Sequence, residues 1–249
     1  MPDVHPTFQA LVRRLERRSP LGEAGRQALI ELPHQVRKLS SSAHIIRDGD
    51  RPDFVSLLLS GFAHRYKLTG EGGRQIISIH VPSEFVDLQN GLLGVADHSV
   101  QTLTDAEVAL IPRLAIEALA LGNPAVGRAL WIDTLIDASI FREWVVNVGR
   151  RHSVAKVAHL LCEFSLRLEA AGLATNHNYE LPMTQEQLAD AVGLTSVHVN
   201  RVLKQLGEQG LITRNRRSIV IEDWNRMRRV GDFNERYLHH DAVGAAAAA

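Results

Sequence analysis

Within residues 183–206, MTQEQLADAVGLTSVHVNRVLKQL, Ser196, His198, Asn200, Arg201 and Lys204 recur at helical spacing. A hydroxyl, an imidazole, an amide, a guanidinium and an ammonium on one helix face suit hydrogen bonding to base edges and phosphates in a DNA major groove. Val197 lies among them and offers only methyl groups. A second basic set, Arg214, Arg216 and Arg217, follows within a few residues. Thr184 and Gln185 open the stretch, and Thr195 stands just before Ser196. Hydroxyls and backbone amides at helix starts meet phosphates, so such residues position a protein on DNA rather than read its sequence.

Two short helices and a tight turn must hold these groups. Thr184 is expected to cap the first helix, with Gln187 three residues on to reciprocate. Leu188, Ala189 and Val192 give that helix a small apolar face. Gly193 falls where the chain must turn, at a position that tolerates positive φ. Thr195 caps the second helix, and Val199, Val202, Leu203 and Leu206 form its buried stripe. After a break at residues 208–210, two apolar runs at 211–213 and 218–221 read as strands around the basic hairpin. Helix, turn, helix and wing in that order form a winged helix-turn-helix. The competing reading is an ordinary surface corner between two helices. Charge favours DNA: between Arg201 and Arg236 there are nine Arg or Lys against five Asp or Glu, in a chain with no net charge.

The patterns at residues 184–187, Gly193-Leu194-Thr195, Val199-Asn200-Arg201 and the wing resemble the C-terminal domain of one family of bacterial transcription regulators. It is the family of the cyclic-AMP receptor protein and the fumarate–nitrate regulator (Crp/Fnr). The resemblance implies that Arg201 reads guanine. It also implies a departure at Val197, where many members carry a Glu that accepts from cytosine; a thymine methyl suits Val197 better. Asn200 stays open between a base edge and a phosphate.

Upstream the texture changes. Two short amphipathic helices are expected near residues 8–18 and 22–32. From 36 to 111, short apolar runs alternate with Gly- and Asp-containing turns, as in a sandwich or barrel. Family resemblance makes this a double-stranded β-roll of the cyclic-nucleotide-binding kind. Residues 124–149 contain no helix breaker, and their apolar residues wrap more than one face. Such a helix is buried on several sides, here against the roll and against a second copy. The fold class is therefore α+β: a sensor roll with flanking helices over 1–121, a dimerisation helix over 122–149, a winged helix-turn-helix over 150–239, and a disordered tail over 240–249. A hinge is expected at 149–153 and a polar loop at 172–182.

In cyclic-nucleotide-binding members of the family, a Gly-Glu pair holds the ribose and an Arg-Ser pair holds the phosphate. The matching positions here are Asp87 and Leu88, followed by Gln89 and Asn90, then His98 and Ser99. Only the Ser is kept. An imidazole, mostly neutral at pH 7, replaces a bidentate guanidinium poorly, and Asp87 is expected to repel a phosphate. The effector is therefore expected to be something other than cyclic AMP. Of the 12 His, His64, His80 and His98 lie in the sensor region; haem held by one of them, another small molecule, or no effector all stay open.

Composition sets further bounds. An apolar share of 45% and a charged share of 22% describe a globular domain protein, so the DNA argument rests on local charge. One cysteine, Cys162, excludes an internal disulfide and a Cys-ligated iron–sulfur cluster, and its apolar helical setting points to a buried thiol. Residues 1–10 hold no apolar leader segment, and no run reaches membrane-spanning length, so a cytoplasmic location is expected. The expected partners are double-stranded DNA, a second copy of the chain and RNA polymerase, with no resident cofactor or metal. The alternative is a cupin-like metal enzyme on the roll with an accessory domain. Its chemistry needs two or three His with a carboxylate, and His64 has no near partner in sequence. No nucleophile–base set or phosphate-binding loop is present, so no enzyme is expected.

Overall fold

The structure, a computed structural model, describes residues 6–240. The tail expected over 240–249 lies outside these residues, apart from His240. The first elements are α1 (Pro6–Glu16), α2 (Gly22–Ile30), β1 (Gln35–Leu39), β2 (His44–Ile46), β3 (Phe54–Ser60), β4 (Ala63–Leu68) and β5 (Arg74–His80). Then come α3 (Asn90–Leu93), β6 (Ser99–Thr102), β7 (Ala106–Pro112), α4 (Arg113–Gly122) and α5 (Pro124–Arg150). The rest is α6 (Ser153–Ala170), β8 (Asn178–Glu180), α7 (Gln185–Val192), α8 (Ser196–Glu208), β9 (Ile212–Asn215), β10 (Ser218–Ile221), α9 (Trp224–Val230) and a 3₁₀ turn, Glu235–Leu238.

The chain divides into two compact units. One holds the residues up to Lys67 with Ile79–Ser139; the other holds Leu68–Ser78 with Ile140–Tyr237. The sheets β1-β7-β3 and β2-β6-β4-β5 make up the roll. β3 shows why its sequence reads as a continuous apolar run. Successive side chains of a strand point to opposite faces. Val55, Leu57 and Leu59 enter a core with Phe8, Leu11 and Leu15 of α1 and Val126, Ala129 and Leu130 of α5. Leu58 enters another with Ile46, Val100 and Val108, between the two sheets. A strand buried on both faces has no polar alternation to show. Gly61 turns the chain between β3 and β4 at φ +76°, and a Cβ there would lie 2.3 Å from the Asp105 carbonyl oxygen. Asp133 of α5 accepts from Arg14 at 2.7 and 3.1 Å and also pairs with Arg18.

α5 begins where Asn123 Oδ1 accepts from the amides of Ala125 and Val126, with Pro124 in the first turn. It runs 27 residues, about 40 Å. Val126, Ala129, Leu130, Ile136 and Trp144 are buried, whereas Trp131, Leu135, Phe141, Val145 and Val146 are exposed, Trp131 by 67%. Trp131, Leu135 and Val145 fall on one stripe of the helix.

In the second unit, the stretch expected as a loop at 172–182 contains β8, which completes a three-stranded sheet in the order β8-β10-β9. Between α5 and α6 only Arg151 and His152 leave the helix, a shorter break than the hinge expected over 149–153.

Candidate functional site

α7 is capped from both directions. Thr184 Oγ1 accepts from the Gln187 amide at 3.2 Å, and Gln187 Oε1 accepts from the Thr184 amide at 2.9 Å. Gly193 ends the helix at φ +64°, and a Cβ there would meet Val148 Cγ1 at 3.1 Å. Thr195 Oγ1 then accepts from the His198 amide at 3.2 Å and starts α8. Val199, Val202, Leu203 and Leu206 of α8 are buried. Ser196, Val197, His198, Asn200, Arg201 and Lys204 are exposed on the other side, Val197 by 60%. The helix therefore offers a mixed polar and methyl surface on a buried apolar base. Gln185 Nε2 donates to Asn200 Oδ1 at 3.4 Å, so α7 touches the exposed face of α8 through the amide whose role was left open. Lys204 lies 3.6 Å from Glu208, a loose exposed pair of little energy.

The wing is a hairpin in which Ser218 pairs with Asn215, leaving Arg216 and Arg217 at the tip. Arg216 sits at φ +52°, and its carbonyl accepts from Arg214 Nε at 3.3 Å. Arg214, Arg216 and Arg217 are all exposed. Three guanidiniums on a short exposed hairpin form a compact cationic surface for phosphates.

The six residues expected to line a sensor pocket fall into two groups. Asp87 is fully buried: its Oδ1 accepts from the Ser56 amide at 2.6 Å and its Oδ2 from Ser56 Oγ at 3.1 Å. Burial pushes its pKa up to about 7 against the pull of those hydrogen bonds and Arg65. Its carboxyl is thus bound to β3, which replaces the expected direct repulsion of a phosphate. Leu88 packs against the core beside α1 and α5, and Asn90 is buried. Gln89 Nε2 lies 3.3 Å from His98 Nε2, while His98 Nδ1 lies 2.6 Å from Asp97 Oδ1. Ser99 Oγ accepts from the Asp48 amide at 3.1 Å. Burial, with Arg65 nearby, lowers the His98 pKa, so the ring is neutral near pH 7. A neutral ring and an internally bound carboxyl give a phosphate little to hold.

Sequence reasoning passed over Arg65. Its guanidinium donates to the Val86 carbonyl at 3.0 Å and to Asp137 of α5 at 3.0 Å. Inside a strand reading His-Arg-Tyr, nothing distinguishes a buried Arg from a solvated one. Among the described residues no group of three or more His, Cys, Asp or Glu is placed to hold a metal ion.

Comparison with known proteins agrees with this geometry. Residues 36–123 match the cyclic nucleotide-binding domain, and residues 155–230 match the Crp-like helix-turn-helix domain. The transcriptional activator protein FnrL of Cereibacter sphaeroides is 30% identical over 204 residues, covering 80% of this chain and 82% of its own. A probable transcriptional activator of Rhizobium leguminosarum bv. viciae is 28% identical, covering 78% and 80%. The solved structure of FixK2 from Bradyrhizobium japonicum superposes with a TM-score of 0.74 at 26% identity, over 80% of this chain and 98% of that one. The chain belongs to the Crp/Fnr family of transcription regulators. It is a DNA-binding regulator with a winged helix-turn-helix and a cyclic-nucleotide-binding-like sensor domain; the relatives and the structural neighbour give the enzyme alternative no support. Among the described residues no helix is long and apolar enough to cross a membrane.

Proposed function

We propose that two copies of this chain pair through α5 and read a two-fold symmetric operator, one α8 per half-site. The observation that carries this reading is the exposed face of α8 with Arg201 on it, above a buried stripe of four apolar residues. Arg201 pairs with guanine O6 and N7, Val197 meets a thymine methyl, and Asn200 and His198 flank them. Thr184, Gln185, Thr195 and Ser196 position the two helix starts on phosphates. Lys204 and the wing residues Arg214, Arg216 and Arg217 add sequence-independent attraction. The exposed stripe of Trp131, Leu135 and Val145 supports the pairing, because water-facing Trp and Leu on one helix line gain most by meeting a second copy.

In this reading the sensor domain spans residues 1–121, α5 serves as the dimerisation helix within 122–149, and the DNA-binding domain spans 150–239. The sensor responds to something other than cyclic AMP, since Asp87, Leu88 and His98 occupy the positions of the family's Gly, Glu and Arg. RNA polymerase is the further partner, as fits relatives described as transcriptional activators, and the cytoplasm is the place of action. Sedimentation of the full chain tests the dimer, with and without a duplex selected from random sequence. A dimer that binds one duplex is expected; a species that stays monomeric at micromolar concentration with DNA present removes the pairing.

A further inference from the structure

The hairpin between β4 and β5, residues 68–78, groups with the helix-turn-helix in the second unit. Its turn is closed by its own backbone. The Thr69 amide donates to the Gly73 carbonyl at 2.8 Å, and the Gly72 amide donates to the Thr69 carbonyl at 2.9 Å. Thr69 Oγ1 also accepts from the Gly73 amide at 3.1 Å. Arg74 and Gln75 follow this turn and open β5. Both reach the end of α7, 116 and 115 residues away in sequence.

Asp190 lies in the last turn of α7, where the negative end of the helix dipole disfavours an acid. Arg74 offsets this: its Nε donates to Asp190 Oδ2 at 2.6 Å. The two side chains are 29% and 22% exposed, so solvent screens the pair only in part. Helix ends also leave carbonyls without helical partners. Here the Gly193 and Leu194 amides both turn to the Ala189 carbonyl. Gln75 Nε2 meets the next two carbonyls, Asp190 at 2.7 Å and Ala191 at 3.3 Å, and shares its two protons with the Ile76 carbonyl at 2.9 Å. Gly193 then brings the turn against Val148 in the last turn of α5. The corner between α7 and α8 is thus seated between the hairpin and the end of α5.

We propose that Arg74 and Gln75 are positioning residues for DNA recognition. They hold α7 on the end of α5, and α7 carries α8, so they set the half-site spacing that a dimer accepts. The inference rests on the proposed pairing through α5 with one α8 per half-site. One base pair added between half-sites moves one of them by about 3.4 Å and turns it by about 35° around the DNA axis. To follow, α8 must draw α7 off its seat. The contacts with Arg74 and Gln75 are then broken, and their loss is part of what the insertion costs. Weakening them lowers that cost.

The test compares binding of the full chain to the selected duplex and to the same duplex with one base pair inserted between its half-sites. The ratio of the two affinities is the readout. Gln75→Ala removes the shared amide, and Arg74→Glu sets two acids side by side. Each should lower the ratio roughly three- to tenfold from wild type, equivalent to about one net hydrogen bond. Arg74→Glu combined with Asp190→Arg reverses the pair and should bring the ratio back toward wild type. A general loss of stability, or a charge change felt by all phosphates, alters binding to both duplexes alike and leaves the ratio unmoved. Urea unfolding reads the seat without DNA: Arg74→Glu should lower the midpoint, and the reversed pair should raise it again. A wild-type chain that binds no duplex sinks the regulator reading and this inference with it. A wild-type chain that binds but ignores the insertion, or a ratio equal in all variants, overturns only the positioning role. A midpoint that Arg74→Glu leaves unmoved, or that the reversed pair does not raise, overturns the seat itself.

Discussion

Arg65 Nη1 of β4 lies 3.0 Å from Asp137 Oδ2 of α5, while the same guanidinium holds the Val86 carbonyl just before Asp87. One side chain thus ties the sensor sheet, the pocket segment and the long helix within the first unit. Arg65 is nearly buried and the Asp137 side chain is 40% exposed, so solvent screens part of the pair. Asp137→Asn should cost about 1–2 kcal/mol, below the usual value for a charged hydrogen bond. Urea unfolding measures it; an unmoved midpoint would show that water serves Arg65 as well as Asp137 does.

Asp87 should make stability fall as pH rises. Its pKa is raised from 3.8 in the unfolded chain to about 7 in the fold. The folded state therefore holds a proton that the unfolded state has released across that window. The penalty for ionising the buried carboxyl is absent below the window, grows through it, and is full above about 7. Asp87→Asn keeps an acceptor for the Ser56 amide and removes the titration. Thermal unfolding across the window should show a weaker pH slope in Asp87→Asn than in wild type; equal slopes would place the titration elsewhere.

Cyclic AMP should give no saturable heat in calorimetry at ligand concentrations up to about 1 mM, equivalent to about 4 kcal/mol of binding energy. The reasons are structural: the Asp87 carboxyl belongs to Ser56, Leu88 belongs to the core, and His98 is a neutral ring held by Asp97. Micromolar binding would sink the reading of the pocket.

Arg201→Ala should cost about 1–3 kcal/mol on the selected duplex and relax preference at one base pair. Arg216→Ala should weaken selected and scrambled duplexes alike and reduce the salt slope by about one unit. Both side chains at position 216 carry a Cβ, so the positive φ costs the same in each. If Arg201→Ala weakens both duplexes equally, Arg201 is a phosphate contact.

The Cys162 thiol should ignore alkylating reagents until the chain unfolds. It is buried in α6, and burial pushes its pKa well above the ordinary range, so little thiolate forms. Mass spectrometry after maleimide treatment checks this; rapid labelling of the folded chain would show that the second unit opens readily.

Much of this was legible beforehand because it is local. Thr184 with Gln187, Gly193 and Thr195 are caps and turns whose partners lie within a few residues, so their spacing states their geometry. The stripe of α8 shows in its periodicity. β8 was not legible, because three residues with one buried Tyr179 form a strand only when β10 is beside them. Arg65, Glu163 and His159 were hidden for a related reason: Arg65 meets Asp137, and Glu163 and His159 both meet Tyr237. Their roles depend on partners distant in sequence, and a polar residue within an apolar element does not announce whether it faces water. The direction of Asp87 failed likewise: its position suggested the pocket, whereas Ser56, 31 residues earlier, holds it.

The order of strands in the roll has a consequence for synthesis. β7 lies between β1 and β3, pairing Gln35 with Leu110 and Val55 with Ile111, so neither earlier strand has its neighbour in this sheet until residue 112 has left the ribosome. At roughly 5–20 residues per second, β3 waits on the order of seconds for β7, with only residues 83–86 to pair with it in the meantime. Exposure of the apolar run Phe54–Ser60 in that interval invites a chaperone or a misplaced neighbour.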